Sequence, residues 1–556
     1  MKEEIQKIIK GEVEDSDEML SKYSHDASIF EVRPKFVIFP KDSEDVQNLV
    51  KWVNENKEKH PELSITARCA GTCMSGGAIG ESIILDFTKY MNKLISFDEN
   101  FITVQPGMFY RDFEKLTLEK GLILPCYTAS KGLNAMGGMF GNNSAGEKTL
   151  KYGKTEDYIL GSRVVFADGV ERNITKTLLS DIPQQDEYTK KIFELIKDNE
   201  EIIQKAKPKV SKNSAGYYLW NVVRPANKIP NLPSILPPVF DLNKLFVGSQ
   251  GTLGIATEIT FKLVPVQKYS KLVAVFMKDL SILGDLVAEI VKLNPETLET
   301  YDDKTMKLAV KFFPDFLKNK GVFGMIKFMW SFLPELGMMI TGGFPKLILL
   351  IEFAGVDDAD VERQCKELKN KISNFNIKTH ITKSESEANK YWDIRRESFN
   401  LLRKHVSGKR TAPFIDDIIV RPEFLPKFIP ELNKILDTYD ITYTIAGHAG
   451  DGNFHIIPLM DFSKKDISKI IIELGEKVYT LVLSYGGSIT AEHNDGIIRT
   501  PYVEQMYGEK MYDIFKQVKN IFDPKNILNP GKKVGGTKEY LVSHIALEHP
   551  KPEHSI

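Results

Sequence analysis

Short apolar runs alternating with helical stretches set the pattern of the first half of the chain. Phe36–Phe39 and Ile83–Leu85 have the length and composition of buried strands, and a further strand is expected around Ile65. Helices are predicted from Asp42 to Lys57 and, roughly, from Glu187 to Lys207. Strands and helices that alternate in this way indicate a mixed fold with a buried sheet.

The pattern changes after Val264-Pro265 to strands separated by long helices, which is typical of an α+β domain. The length of 556 residues suits two to four domains. We divide the chain into an N-terminal helical segment (1–35), a first domain (36–265), a second domain (266–510) and a C-terminal segment (511–556). The proline-rich run Pro225–Pro238 is predicted to be a surface loop.

Residues 312–349 are unusually apolar, above all from Val322 to Leu333. Lys327, Pro334 and Lys346 interrupt the segment, so no run reaches the roughly 18 apolar residues expected of a spanning helix. Two interpretations stay open. The segment is either a buried helix pair of the second domain or an amphipathic patch that docks on a membrane or on an electron-accepting partner.

Charge and cysteine content exclude several classes of protein. The 74 basic and 75 acidic residues nearly cancel, which argues against a nucleic-acid-binding surface. Four scattered cysteines without a C-x2-C-x2-C run fit neither a disulfide scaffold nor an iron–sulfur domain. The first residues have neither the apolar stretch of a signal peptide nor the bias of a transit peptide. We expect a cytoplasmic protein, with contact to the inner face of the membrane left open for 312–349.

A predicted hairpin near residue 450 brings together candidate metal ligands. Asp451-Gly452 is a two-residue turn signal between the strand-like runs 443–446 and 454–457. A turn there places His448 directly opposite His455, with Cβ atoms about 4.5–5.5 Å apart. Two such imidazoles can share a divalent ion, with Glu492 as a third ligand of the kind catalytic zinc uses. The alternative is that these are ordinary hydrogen-bonding histidines, because His-x6-His alone is weak evidence.

Three loops rich in small residues lie near strand patterns in the first half, at 66–77, 136–146 and 247–255. Such loops let backbone N–H groups approach a pyrophosphate closely, and three of them suit a long dinucleotide. The first loop lacks both the G-x-G-x-x-G fingerprint and the lysine of a P-loop, so it is neither a Rossmann fingerprint nor a P-loop. Taken alone, a glycine-rich loop is more often a turn than a nucleotide site.

These motifs together resemble the FAD-linked D-2-hydroxy-acid dehydrogenases of the vanillyl-alcohol-oxidase flavoprotein superfamily. That group includes D-lactate dehydrogenases, glycolate oxidase flavin subunits and D-2-hydroxyglutarate dehydrogenases. The resemblance runs from about Phe36 to Lys533. Its motifs are Arg68-x-Ala-Gly-Thr72, Gly137-Gly138, Asn143-Ser-Ala-Gly146, Lys151-Tyr152-Gly153, Gly248-Ser-Gln-Gly-Thr-Leu-Gly254, His448-x6-His455, Glu492-His493 and Phe522-Asp-Pro-Lys-Asn-Ile-Leu-Asn-Pro-Gly-Lys532.

The resemblance implies an α+β fold. Residues 36–265 would form a two-subdomain FAD-binding domain, 266–510 a substrate (cap) domain with an antiparallel sheet and the metal site, and 511–556 a segment that returns to the FAD domain. It implies zinc or manganese at His448, His455 and Glu492. It also implies FAD contacts from Arg68, Ala70, Gly71, Thr72, Cys73, Gly137, Gly138, Asn142, Ser144, Gly146, Tyr152, Gly248, Gly251, Thr252, Gly254, Ile255 and Asn529.

The chain departs from its relatives at several positions. Cys73 stands where serine is usual, and Gln250 where glutamate is common. Some members attach FAD through a histidine in the first loop, but Thr72 and Cys73 occupy that region here, so we expect non-covalent FAD. Asn494 and Asp495 follow the Glu-His pair in place of the usual Gly-x, which should leave the ligand and the base in place.

The implied reaction oxidises a D-2-hydroxy acid to the 2-oxo acid, with hydride transfer to flavin N5 and a metal that lowers the pKa of the alcohol. His493 is the candidate general base. Arg395 aligns with the arginine that grips the substrate carboxylate, although a surface arginine on a charged helix is the alternative. Electrons would pass to a separate acceptor, which is a quinone, a cytochrome, an electron-transfer flavoprotein or an iron–sulfur subunit.

The substrate is expected to be D-lactate. Relatives that oxidise 2-hydroxyglutarate carry a lysine in a Lys-Tyr-Asp setting where this chain has Asp416-Asp417. An acidic pair should repel a second carboxylate unless Lys409 or Arg410 compensates. D-2-hydroxyglutarate and glycolate remain alternatives. So do a non-redox flavin enzyme resembling alkyl-glycerone-phosphate synthase and a non-catalytic flavin subunit of a larger complex.

Overall fold

The computed structural model describes residues 1–224, 238–311, 345–405 and 408–547. The predicted loop 225–237 and residues 312–344 of the apolar segment lie outside these ranges, so neither interpretation of that segment is tested there. Its last residues, Leu347–Leu349, belong to a buried strand. None of the helices in the described part of the chain is both long enough and apolar enough to cross a membrane.

The strands, numbered in chain order, are β1 (Glu12–Glu14), β2 (Phe36–Phe39), β3 (Ile65–Arg68), β4 (Ile83–Asp86), β5 (Leu94–Asp98), β6 (Phe101–Val104), β7 (Leu122–Ile123), β8 (Ile159–Val165), β9 (Glu171–Ile174), β10 (Thr177–Leu178), β11 (Val223–Arg224), β12 (Val239–Phe240), β13 (Ile255–Lys262), β14 (Val264–Pro265), β15 (Tyr269–Met277), β16 (Thr297–Asp302), β17 (Leu347–Gly355), β18 (Lys378–Ile381), β19 (Arg410–Thr411), β20 (Ile418–Ile419), β21 (Thr442–His448) and β22 (Asn453–Met460).

The helices are α1 (Lys2–Ile8), α2 (Asp17–Tyr23), α3 (Ser43–Asn56), α4 (Tyr110–Leu118), α5 (Met136–Asn142), α6 (Thr149–Tyr152), α7 (Glu187–Asp198), α8 (Glu200–Ala206), α9 (Asn243–Phe246), α10 (Leu283–Val291), α11 (Asp303–Lys311), α12 (Asp358–Lys371), α13 (Glu385–His405), α14 (Leu425–Leu436), α15 (Ile467–Ser484), α16 (Gly496–Arg499), α17 (Val503–Tyr507), α18 (Glu509–Phe522) and α19 (Lys538–Ser543).

A four-stranded sheet in the order β1-β2-β4-β3 opens the fold. Its β2, β4 and β3 are parallel, and the predicted helix after β2 is confirmed as α3. Asp42 caps α3 by accepting a hydrogen bond from the backbone N–H of Asp45 at 3.1 Å. The N-terminal segment is not wholly helical as expected, because β1 pairs with β2 and buries Val13.

An antiparallel sheet in the order β5-β6-β13-β8-β9 follows. Every second residue of β13, from Ile255 to Phe261, is buried, which is the alternation of a strand with one face on the core. Leu528, in the C-terminal segment, forms a parallel bridge with Ile65 of the first sheet. The predicted helix from Glu187 to Lys207 is present as α7 and α8, which meet at Asn199.

The largest sheet has the order β18-β15-β17-β16-β21-β22-β19, with β20 also paired to β22. Its strand pairs are antiparallel, which confirms the sheet expected for the second domain. One face packs on helices such as α10, α14 and α15 in a continuous apolar core. The residues predicted to bind metal and substrate lie on the opposite face or above it.

Candidate active site

A cavity of about 870 Å³ lies between the three small-residue loops and the large sheet. Its wall includes residues of all three loops and also Arg395, His448, His455, Glu492 and His493. The two groups of motifs found separately in the sequence therefore face one space. One small molecule in this cavity can be near both of them.

Most of the predicted flavin contacts lie on the cavity wall. These thirteen residues are Arg68, Ala70, Gly71, Thr72, Cys73, Gly137, Gly138, Asn142, Ser144, Gly146, Gly251, Gly254 and Ile255. The other four, Tyr152, Gly248, Thr252 and Asn529, are not part of the wall. Of these four, Asn529 supports the wall, because its amide donates to the carbonyls of the wall residues Gly77 and Gln250 at 2.9 and 2.8 Å.

The glycines of α5 test whether the cavity suits a flavin. A Cβ placed on Gly138 would meet no atom within 4 Å, although the residue is on the wall, so its backbone faces open space. A Cβ on its neighbour Gly137 would lie 2.5 Å from Cβ of Pro106 and 2.9 Å from Sγ of Cys69. Gly137 is needed for packing, whereas Gly138 leaves its backbone accessible to a ligand. The residues present therefore fit FAD.

Gln250 joins the loops to the segment that carries Glu492 and His493. Its Oε1 accepts from the backbone N–H of Gly496 at 2.9 Å, while its Nε2 donates to Oδ1 of Asn142 at 3.3 Å. A glutamate, which is common here in relatives, has no donor for the second contact. Asn494 adds a donor to the carbonyl of Gly248 at 2.9 Å. The unusual residues of this chain thus anchor the loop.

The predicted hairpin is present, but its predicted register is wrong. His448 pairs with Asn453, and His455 pairs with Ala446, so the histidines are diagonal neighbours on one face. Residues 449–452 form a four-residue loop because tertiary contacts decide its shape. The N–H of Gly450 donates to the carbonyl of Leu298 at 3.1 Å. The imidazole centroids still lie 5.3 Å apart, within reach of a shared ion.

His448, His455 and Glu492 each present one ligand atom, and these atoms lie within 4.8 Å of one another. Nδ1 of His448 lies 2.6 Å from Oε1 of Glu299, and Nδ1 of His455 lies 3.1 Å from Oδ1 of Asp416. Each ring therefore keeps Nε2 for a cation, an arrangement typical of metal-binding histidines. Two imidazoles and a carboxylate are a donor set that suits zinc. The residues present fit a divalent metal.

Asp416 and Asp417 do not repel a substrate as the sequence suggested. Both carboxylates are fully buried and belong to the framework of the site. Asp416 faces His455 and His493, and Oδ2 of Asp417 accepts from the backbone N–H groups of Glu492 and His493 at 2.8 and 2.7 Å. Neither residue is part of the cavity wall. The argument against a second substrate carboxylate is therefore wrong.

Lys212 is a buried cation beside the candidate metal ligands. Its Nζ lies 2.6 Å from Oε1 of Glu492 and 3.1 Å from Oδ2 of Asp451. Burial opposes the charged form of the amine, but Asp451 and Glu492 more than offset this and raise the pKa of Lys212. Lys212 therefore stays charged and holds both carboxylates.

Buried carboxylates lie close to all of the candidate histidines. Glu299 faces His448, and Asp416 faces both His455 and His493. Two of the carboxylates beside the candidate ligands also have a cationic partner, since Glu299 pairs with Arg395 and Glu492 pairs with Lys212.

These carboxylates favour positive charge on two of the histidines. Burial disfavours the imidazolium form of His448, but Glu299 and Glu492 together outweigh burial and raise the pKa of His448 to about 9. Burial likewise disfavours charge on His493, yet Asp417 and Asp416 raise its pKa to about 9. The same carboxylates would favour a divalent cation, which competes with protons for the histidine nitrogens.

Sequence reasoning missed Glu299 and the part played by Lys212. Glu299 is fully buried in the middle of β16, opposite His448 if the register of Thr300 with Gly447 is continued by one residue. A carboxylate in the middle of a strand whose residues are all buried is itself a signal, since a buried charge needs a partner. Lys212 carried no such signal, because its contacts lie more than 200 residues away.

Residues from both ends of the described chain complete the cavity wall. Phe30 forms an antiparallel bridge with Ile545, and the N–H of Ala546 donates to the carbonyl of Ile29 at 2.9 Å. Ile29, Phe30 and Ala546 all line the cavity. One side of the cavity therefore depends on a contact between segments more than 500 residues apart.

Two family models match the chain. Residues 34–175 match the FAD binding domain, and residues 266–533 match the C-terminal domain of FAD linked oxidases. The chain is also similar in fold to 4-ethylphenol oxidase from Gulosibacter chungangensis, with a TM-score of 0.67, 15% identity and 97% of each chain covered.

Curated relatives are similar over most of the chain. The glycolate oxidase subunit GlcD of Bacillus subtilis is 28% identical, with 92% of this chain and 91% of the relative covered. A D-lactate dehydrogenase of Anaerostipes hadrus is 26% identical, with 96% of each covered. A D-2-hydroxyglutarate dehydrogenase of Haemophilus influenzae is 25% identical over 91% of this chain, which spans only 48% of that relative's length.

Proposed function

Because the chain belongs to the FAD-linked oxidase family of flavoproteins, we propose that it oxidises a D-2-hydroxy acid to the 2-oxo acid, with FAD and a divalent cation in the one cavity. The observation that supports this most is that the small-residue loops and the candidate metal ligands share a wall. The names of the relatives, which are D-lactate and D-2-hydroxyglutarate dehydrogenases and a glycolate oxidase subunit, support the same substrate class.

FAD, bound without a covalent link, would supply a hydride acceptor, and zinc or manganese held by His448, His455 and Glu492 would lower the pKa of the substrate alcohol. The protein's own part is to orient the acid and to take the proton. The Arg395 guanidinium, on the cavity wall, would bind the substrate carboxylate through a pair of hydrogen bonds. Its position there favours this role over that of a surface arginine.

His493 would accept the proton of the alcohol. Its ring is beside the candidate ligand His455, and its Nδ1 faces Asp416 at 2.7 Å, which leaves Nε2 for the substrate. The buried Asp416 stabilises the imidazolium that proton transfer creates. A bound cation near His493 would disfavour a proton on this ring, so the neutral form that a base requires becomes available.

Both D-lactate and a dicarboxylic 2-hydroxy acid remain candidate substrates. The sequence argument for D-lactate depended on Asp416 and Asp417, neither of which is on the cavity wall. Asp416 faces His455 and His493, whereas Asp417 accepts from the backbone N–H groups of Glu492 and His493. Lys409 and Arg410 are on the cavity wall and carry charge suited to a second carboxylate. We propose that electrons then leave the flavin for a separate acceptor, because the four cysteines are too few and too scattered for an iron–sulfur domain.

Anaerobic mixing of the flavin-loaded protein with paired D- and L-2-hydroxy acids tests the proposal. We expect D-lactate, D-2-hydroxyglutarate or glycolate to bleach the flavin absorbance, and the L-enantiomers of the chiral acids to leave it unchanged. A non-catalytic flavin subunit would hold yellow FAD that no hydroxy acid bleaches. That result, with metal bound and FAD present, would end the proposal.

A further inference from the structure

Glu299 is placed between the two groups that are proposed to hold the substrate and the cation. It lies on β16, and its side chain is 1% exposed. One carboxylate oxygen, Oε1, is 2.6 Å from Nδ1 of His448. The other, Oε2, forms an ion pair with the guanidinium of Arg395. A single buried carboxylate therefore has two partners, one from β21 and one from α13.

The contact with His448 decides which ring nitrogen is available. Because Glu299 accepts a hydrogen bond at Nδ1, the neutral ring carries its proton there and keeps Nε2 as a lone-pair donor. Nε2 is the atom that lies 3.2 Å from Oε1 of Glu492. Glu299 thus orients His448 toward the other candidate ligands, as outer carboxylates do at known metal sites.

The contact with Arg395 fixes the position of a long side chain. An arginine side chain loses conformational freedom when it is ordered, so binding an anion costs less when the arginine is already held in place. The Arg395 side chain is 9% exposed, which leaves little room for other rotamers. The ion pair also keeps its charge compensated before an acid binds.

We propose that Glu299 is a positioning residue that ties the metal ligand His448 to the substrate-binding Arg395, so that one carboxylate sets the spacing between cation and guanidinium. This inference rests on the proposed function, which supplies the roles of the two partners. The alcohol and carboxylate oxygens of a 2-hydroxy acid are on adjacent carbons. A fixed spacing between the two groups that bind them is what such a substrate requires.

Glu299→Gln separates the two contacts because an amide has a single acceptor oxygen. The guanidinium is the stronger partner for that oxygen, since a charged donor makes the stronger hydrogen bond. The amide NH2 then faces Nδ1 of His448, where a donor meets a donor. The affinity for a cation should therefore fall more than the affinity for the substrate. Arg395 should also be held less firmly, because its partner is then a neutral group.

The test is an equilibrium titration of the flavin-loaded, metal-stripped full chain with Zn²⁺, in competition with a chromogenic chelator. We expect Glu299→Gln to weaken Zn²⁺ binding about 10–100-fold. The matched control is Glu352→Gln on the neighbouring strand β17, which faces Lys148 and Glu296 instead of the site and should bind Zn²⁺ like the wild type. Wild-type Zn²⁺ affinity in Glu299→Gln would overturn the proposal.

A second measurement tests the Arg395 contact. At saturating Zn²⁺, the KM for the 2-hydroxy acid should rise at least about tenfold in Glu299→Gln, which is the effect of losing ~1.4 kcal/mol of binding. An unchanged KM in Glu299→Gln at saturating Zn²⁺ would overturn the claim that Glu299 positions Arg395. Glu299→Asp retains the charge, so its Zn²⁺ affinity and its KM should change less than those of Glu299→Gln. This variant replaces Glu299→Gln in both measurements if Glu299→Gln does not fold. A wild-type protein that binds no Zn²⁺ would instead refute the proposed metal function.

Discussion

The imidazole rings of His455 and His493 stack, with centroids 5.2 Å apart and planes at 24°. Nδ1 of each ring faces the same carboxylate, Asp416, at 3.1 and 2.7 Å. A candidate metal ligand and the candidate base are thus held side by side by one buried acid. We assign His455 to the metal and His493 to the substrate because of what each Nε2 is proposed to bind. Mutation can separate these two roles.

His493→Ala should leave FAD and metal bound but slow flavin reduction by about 10²–10⁴-fold, the usual contribution of a positioned base. The reason is that the other described imidazoles on the cavity wall are His448 and His455, which are proposed to bind the metal, and His25 in the N-terminal segment. Stopped-flow bleaching with the active hydroxy acid measures the effect. Bleaching at the wild-type rate would remove His493 from this role.

His448→Ala should lose metal and flavin reduction together while keeping the flavin spectrum. The substitution removes one of the three candidate ligands and leaves the small-residue loops untouched. Elemental analysis of the purified protein should find about one metal per wild-type chain and far less in the variant. His60→Ala, a histidine away from the cavity wall, is the control and should keep its metal. Equal metal content in His448→Ala and the wild type would contradict the assigned ligand set.

Gly138→Ala should weaken FAD binding, whereas Gly137→Ala should lower the stability of the protein. The new methyl group at position 138 projects into the cavity, so it should weaken FAD binding at least about tenfold, ~1.4 kcal/mol, with little change in the stability of the apoprotein. At position 137 the methyl group clashes with Pro106 and Cys69 and should lower the free energy of unfolding by about 1–3 kcal/mol. Flavin fluorescence titration and thermal unfolding of the apoproteins separate the two effects. Tight FAD binding by Gly138→Ala would contradict the proposed position of the flavin.

Glu352→Gln should change how stability depends on pH. Burial raises the pKa of Glu352 to about 7, although Lys148 opposes the shift. The folded protein therefore favours the protonated acid. The stability that this group contributes is present below its ordinary pKa of about 4.5 and is lost as pH rises through 7. The free energy of unfolding of the glutamine variant does not fall in this way, because an amide does not titrate.

We expect Glu352→Gln to match the wild type near pH 4.5 and to exceed its unfolding free energy by about 1–3 kcal/mol at pH 8. The range allows for solvent screening, because Glu352 is only half-buried by its surface exposure. Denaturant unfolding at both pH values measures the difference. A constant difference between the variant and the wild type would show that Glu352 titrates at its ordinary pKa.

Local sequence patterns predicted the helices and strands better than they predicted the tertiary contacts between these elements. The helix from Asp42 was found because its spaced apolar residues lie within one short stretch of sequence. The hairpin was found, but its register was not, because the loop 449–452 is shaped by Leu298 and Lys212. A turn rule that reads only neighbouring residues has no access to such partners.

The same limit applies to the candidate site. The glycine-rich loops and the histidine pair were identified from spacing and from resemblance, and the structure brings them to one cavity. Glu299 and Lys212 were missed because each acts through residues distant in sequence. Asp416 and Asp417 were noticed, but the sequence does not state which way a side chain points. Their carboxylates face the histidines and the backbone instead of the substrate space.

The bridge between Phe30 and Ile545 has a consequence for the order of events during synthesis. While the ribosome is still translating the segment before Ala546, the pocket lacks the piece that pairs with Ile29. We expect a nascent chain to build its glycine loops early and to enclose the cavity only after the last described turn has emerged. Closure of the cavity is therefore expected late in the maturation of this polypeptide.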